Sequence, residues 1–157
     1  MSAATHPLEN RLPPPLVCLL AAFAMGALGW AAPPILVDSS LRLGIAGAVA
    51  LLGLFTGASG FFAFSRAKTT IDPVHIERAS SLVTGGIFRY TRNPMYVGFT
   101  LLLLGWAVCL AAPLAFVGPV AFVLFITRYQ IVPEERVMLS KFGAAYADYC
   151  ARVRRWI

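Results

Sequence analysis

Four long apolar runs, Pro15 to about Val37, Leu41 to Phe64, Tyr96 to Ala112 and Pro113 to Val132, leave this chain few choices of fold. Each is close to the ~20 residues that a helix rising ~1.5 Å per residue needs to cross ~30 Å of hydrocarbon. Inside lipid no water satisfies backbone N–H and C=O groups, so a single-chain segment of this kind is a helix. The rest of the composition agrees: 59% of the 157 residues are hydrophobic and 13% are charged, with mean hydropathy +0.74. The expected fold is an all-α integral membrane protein, one domain over residues 1–157 with four transmembrane helices. Between the second and third runs lies a loop, 65–95, and after the fourth a tail, 133–157.

The basic residues set an orientation. Arg66, Lys68, Arg78, Arg89 and Arg92 lie between spans two and three, and Arg128, Arg136, Lys141, Arg152, Arg154 and Arg155 lie at or beyond the end of span four. The connections at "APPILVDSS" and Ala112-Pro113 carry none, apart from Arg42 just inside span two. The positive-inside tendency then puts both termini and the 65–95 loop on the cytoplasmic side, of the plasma or inner membrane if the source is bacterial. The net charge of +6 flanks apolar spans and forms no stripe on a soluble face, which argues against a nucleic-acid partner.

Other chemistries find little support. Cys18, Cys109 and Cys150 share no metal or disulfide spacing, and His6 and His75 have no neighbours of their kind. There is no GxGxxG after a strand, no P-loop and no HExxH, and Gly85-Gly86 reads as a turn. "MSAATHPLENRLPPP" has no small-residue cleavage site before a polar mature chain, so the first span is expected to stay. Gly44, Gly47, Gly53, Gly57 and Gly60 line span two; Gly53 and Gly57 have the spacing at which helix backbones approach closely, which permits a homodimer. In the tail, Phe142, Tyr146, Tyr149, Val153 and Trp156 recur at spacings of four and three. Together with three nearby arginines, they predict an amphipathic helix lying at the membrane interface.

Spans three and four are joined by "LAAPLAF", which leaves almost no loop and requires a tight antiparallel hairpin. Its two open ends, "RNPMY" before span three and "VPEER" after span four, must therefore meet at one membrane face although ~40 residues separate them. Singly, these arginines and tyrosines are ordinary interfacial anchors, and Glu134 and Glu135 are ordinary helix-start acids. Brought together, they form a polar cluster.

"SLVTGGIFRYTRNPMYVG", an apolar hairpin and "PEERVMLSKFGAAYADYCARV" resemble, over about Ser80 to Val153, the isoprenylcysteine carboxyl methyltransferase and phospholipid methyltransferase superfamily. That resemblance implies a membrane-embedded enzyme using S-adenosyl-L-methionine at the cytoplasmic end of its bundle. Carried over by position, cofactor binding falls to Leu82 and Val83 in the loop, Phe88 where the family often has tyrosine, Arg92, Asn93, Pro94 and Tyr96 in the Arg-His-Pro-x-Tyr motif, and Glu134 with Glu135. The family's histidine is Asn93 here, which hydrogen-bonds but cannot be protonated. Arg89 and Gln130 are assigned to the substrate. In the isoprenylcysteine enzymes an arginine four residues before the first glutamate is associated with the substrate carboxylate, and Gln130 holds that place.

The residue types suit the cofactor's chemistry. Carboxylates can accept from an ammonium or a ribose diol, arginine can fork onto a carboxylate, and an apolar or aromatic wall can cover adenine. No metal is required. A site at the membrane face can draw a polar cofactor from the cytosol and a lipophilic acceptor sideways from the membrane lipids. Because glutamine cannot neutralise a carboxylate, the expected acceptor is another lipophilic or small nucleophile: an amine, thiol or hydroxyl. Two alternatives stay open: a non-catalytic module binding lipid or a partner, and a membrane reductase using a nicotinamide cofactor.

Overall fold

The computed structural model describes residues 9–31, 35–36, 38–66 and 81–157, and every regular element among them is helical. His6, Lys68, His75 and Arg78 lie outside these residues. Helix α1 (Pro14–Ala31) and helix α2 (Ser39–Arg66) are followed by a 3-10 turn (Gly86–Arg89) and helix α3 (Pro94–Leu110). A second 3-10 turn (Pro113–Phe116) leads into α4 (Val117–Ile126), a π-turn (Thr127–Ile131), α5 (Val132–Phe142) and α6 (Ala144–Arg152). Three stretches, Pro14–Ala31, Ser39–Arg66 and Pro113–Phe142, are long and apolar enough to cross a membrane. Helix α3 is apolar but shorter, at 17 residues.

The four passes run back and forth between two ends of a bundle. At one end the Ile35 N–H, in the α1–α2 connection, donates to the Ala111 carbonyl in the α3–α4 turn at 2.6 Å. At the other, the Asn10 N–H donates to Tyr129 O at 3.0 Å and the Arg92 N–H to Arg154 O at 3.1 Å. Both ends of the described chain therefore lie at the same end of the bundle as the α3 start and the α4–α5 junction. The outer surface is apolar, with Phe23 82% and Trp30 93% exposed, as suits a lipid environment.

The close antiparallel pair is α2 with α3. A Cβ placed on Gly53 would lie 2.8 Å from Gly98 O, and one placed on Gly98 would lie 2.7 Å from Gly53 O, so neither position has room for a side chain. Further along, Gly60 faces Pro94 and Gly105 faces Ala46. The glycine surface that permits a dimer on sequence grounds is thus occupied from within the chain around Gly53 and Gly60. Helices α1, α3 and α4 enclose a core of Met25, Leu103, Ala107, Phe122 and Ile126, and Trp106 Nε1 ties α3 to the α1 carbonyl of Ala22 at 3.0 Å.

The hairpin is as tight as its sequence implies. Ala111 caps α3 in the left-handed region at φ 52°, Ala112 is extended and Pro113 opens the next turn. Span four is longer than its predicted limit at Val132, because helical structure continues through Pro133 to Phe142. Proline inside an α-helix both removes an N–H and crowds the carbonyl four residues back. Here the chain widens into a π-turn just before it, with the Val132 N–H reaching five residues back to Thr127 O. The tail is not one helix either. Gly143, at φ 52° and ψ −127°, separates α5 from α6, a conformation that a side chain would strain.

Candidate functional site

The open end of the hairpin does bring the two motifs together. Pro94 is the first residue of α3, fully buried against Gly60 of α2, and this fixes where the preceding residues and Tyr96 point. The Tyr96 hydroxyl donates to Glu134 Oε1 at 2.6 Å, and Gln130 Nε2 donates to the same oxygen at 2.8 Å. Tyr96 and Gln130 are both buried. With both donors on Oε1, the carboxylate is oriented on one side, and Oε2 accepts no side-chain hydrogen bond among the described residues.

The second glutamate is engaged differently. Arg92 Nη2 reaches Glu135 Oε1 at 2.9 Å. Arg155 forks onto the same carboxylate, Nε to Oε1 at 3.0 Å and Nη2 to Oε2 at 2.6 Å. Those hydrogen bonds hold the Arg155 guanidinium above its ordinary pKa. Arg92 Nε is buried with no hydrogen-bond partner among the described residues. A buried donor of that kind costs free energy unless something accepts from it. Glu135, expected beside Glu134 as a ligand, is thus already held by two arginines, while Glu134 and Arg92 each keep a polar atom that no side chain among the described residues engages.

Asn93 occupies the N-cap position of α3 without capping it. Its Nδ2 donates instead to Arg155 O at 2.8 Å, and the Arg92 N–H takes the neighbouring Arg154 carbonyl at 3.1 Å. Where the related motif has histidine, this side chain pins the end of the chain. Trp156 completes the attachment, with Nε1 donating to Thr127 Oγ1 at 3.2 Å and its ring packed on the bundle core. Sequence reasoning missed Arg155 and Trp156, which read as a basic, aromatic surface flank. No spacing rule relates Arg155 to a glutamate twenty residues earlier once the helix has ended at Arg152.

Leu82, Val83 and Phe88 form an apolar wall with Tyr146, Tyr149, Phe142 and Met138. Met138 lies one turn beyond Glu134 on α5, so the wall adjoins the polar cluster. Tyr149 donates to Phe88 O at 2.7 Å; burial pushes its hydroxyl up to about 12, so it remains the protonated donor. The aromatic stripe of the tail therefore faces protein through Tyr146 and Tyr149, at 6% and 4% exposure. Arg89 stands apart from the Glu134 cluster and, with Thr84, Tyr149, Arg152 and Val153, lines a separate cleft of about 300 Å³. Arg128 and Gln130 engage different partners: Arg128 pairs with Glu9 at 3.3 Å, and Gln130 with Glu134.

A helical membrane bundle carrying this cluster at the open end of a hairpin has the design of the superfamily of membrane-embedded methyltransferases. The profile of the phospholipid methyltransferase family matches residues 41–145, and the chain belongs to that family. It is 43% identical over 63 residues to an uncharacterised protein of Haemophilus influenzae, covering 40% of this chain and all of that one. It is 34% identical over 91 residues to a probable protein-S-isoprenylcysteine O-methyltransferase of Oryza sativa subsp. indica, covering 56% of this chain and 46% of the rice protein. With the protein-S-isoprenylcysteine O-methyltransferase of Schizosaccharomyces pombe it shares 37% identity over 75 residues, 46% of this chain and 30% of the yeast protein. The chain spans less than half the length of these named methyltransferases.

Proposed function

We propose that this protein is a single-domain membrane methyltransferase that uses S-adenosyl-L-methionine at the cytoplasmic face, with all four helical passes crossing the bilayer. The observation that carries this reading is the paired incompleteness of the cluster. Glu134 is oriented by Tyr96 and Gln130 with Oε2 left as an acceptor, and Arg92 holds a buried Nε–H that no described residue receives. An amino-acid moiety carrying both an ammonium and a carboxylate fits that pair of needs. Leu82, Val83 and Phe88 would cover an adenine, and the cofactor would supply an electrophilic methyl group.

The chain's own part is positional. Pro94 on Gly60 fixes the start of α3, Arg155 and Arg92 neutralise Glu135, and the apolar wall keeps water from the reacting centre, which matters for displacement at carbon. Gln130, assigned to the substrate from its sequence position, donates to Glu134, and we read it here as a group that positions that carboxylate. We assign Arg89 to the polar end of the acceptor, and the acceptor to neutral lipophilic or small amines, thiols or hydroxyls in preference to prenylcysteine carboxylates.

Membranes containing the protein, incubated with methyl-labelled cofactor, should yield a labelled lipid or small molecule by mass spectrometry. Efficient turnover of a farnesyl-cysteine analogue, undiminished in Gln130→Ala, would contradict the acceptor assignment. Reporter fusions after Ile157 and within 65–95 should both report the cytoplasm; an external signal from either would contradict the orientation.

A further inference from the structure

The π-turn and the N-terminal segment explain each other. Pro133 has no N–H, so the α-helical bond it would have given to Tyr129 O, four residues back, cannot form. The Asn10 N–H reaches that carbonyl from outside the helix, at 3.0 Å. One residue earlier, the Glu9 side chain is only 7% exposed and bridges Arg128 at 3.3 Å and Arg136 at 2.9 Å. Those two arginines bracket the widened turn, one within it and one a turn beyond Val132. Asn10 sits at φ 54°, a left-handed conformation that asparagine tolerates better than most residues.

Between the bracketing arginines lie Gln130 and Glu134, the two residues whose hydrogen bond presents the carboxylate. A π-turn rotates everything after it relative to an ideal α-helix, and such turns are costly unless surrounding contacts hold them. We propose that Glu9 and Asn10 are positioning residues: they clasp the π-turn from outside and thereby hold Glu134 at the angle at which it can receive the cofactor. This rests on the assignment of Glu134 to the cofactor site. It adds a part of the chain to which neither motif belongs, and makes the N-terminal segment a working component of that site.

The test uses the full chain in nanodiscs, with two readouts: hydrogen exchange of the 127–134 backbone amides, and calorimetric affinity for S-adenosylhomocysteine. Glu9→Gln and Asn10→Pro should each speed exchange in 127–134 about tenfold and weaken S-adenosylhomocysteine about fivefold. Asn10→Gly, which keeps the N–H and tolerates positive φ, should retain both properties. Arg136→Met combined with Glu9→Gln should be no worse than Glu9→Gln alone, because both changes break the same bridge. Unchanged exchange in Glu9→Gln and Asn10→Pro would overturn the clasp. Faster exchange with unchanged affinity would overturn its positioning role. If the unsubstituted protein does not bind S-adenosylhomocysteine, the cofactor reading fails, and the exchange measurement still decides whether the clasp exists.

Discussion

The two ends of this bundle are built by different means. At the end where α1 meets α2 and α3 meets α4, the described residues turn mainly on backbone geometry: an alanine in the left-handed region, an inter-turn N–H bond from Ile35 and a single side-chain cap, Asp38 Oδ1 accepting from the Leu41 N–H at 2.9 Å. At the opposite end side chains form two neighbouring sets of hydrogen bonds, Tyr96 and Gln130 on Glu134 and Arg92 and Arg155 on Glu135. The contrast shows what the helical scaffold leaves open. Crossing lipid requires only that backbone groups be paired within each helix, and among the described residues the bare end adds little to that beyond the Asp38 cap and the Ile35 bond. Side-chain chemistry beyond this minimum is concentrated at one end, where Glu134 Oε2 and Arg92 Nε have no side-chain partner among the described residues.

Substitutions should therefore divide by location. The largest effect belongs to the contact that both ends depend on: in Gly98→Leu, a side chain would have to enter where a Cβ alone already meets Gly53 O at 2.7 Å. We expect a loss of about 3 kcal/mol or more, seen as a collapse in the yield of monodisperse protein. Next, Arg92→Met keeps much of the side chain's bulk but removes one of the two cations on Glu135 and the unpartnered Nε–H. Affinity for S-adenosylhomocysteine should fall about tenfold, or ~1.4 kcal/mol, while Arg155 keeps Glu135 paired. Tyr96→Phe removes one of two donors on Glu134 Oε1 and should cost about 1 kcal/mol in the same titration. Smallest is Ala111→Gly at the bare end, where relief of positive φ should stabilise the fold by about 0.5 kcal/mol with no change in ligand affinity. An affinity change in that variant would erase the distinction between the ends.

Much of this plan is legible in the residues themselves. The apolar runs set the helices, "LAAPLAF" leaves no room for anything but a hairpin, and a hairpin forces "RNPMY" and "VPEER" into proximity. Three features escaped, each for a physical reason. Pro133 reads equally well as a helix start or as a disturbed interior position, and the outcome depends on whether a π-turn can be held, here by the distant Glu9 and Asn10. Tyr146 and Tyr149 sit at helical spacing whether they face lipid or protein, so the stripe alone could not say that Phe88 and Leu82 lie beneath it. The pairing of Glu135 with Arg155 depends on the chain leaving helix at Val153, which no local pattern announces. Glycine spacing had a related ambiguity: the motif that lets helices approach does not say whose helix approaches, and here it is α3.

Calorimetric titration of S-adenosylhomocysteine into the purified protein and into Glu134→Ala, with NADPH as the control ligand, tests most directly whether the polar end is a cofactor site. We expect the unsubstituted protein to bind S-adenosylhomocysteine and not NADPH. Loss of a charged acceptor worth ~1.5–3 kcal/mol should weaken binding by tenfold or more in Glu134→Ala, which should remain folded with a melting temperature lowered by the stranded Tyr96 and Gln130 donors. Equal affinity in the two proteins, or binding of NADPH in place of S-adenosylhomocysteine, would contradict it.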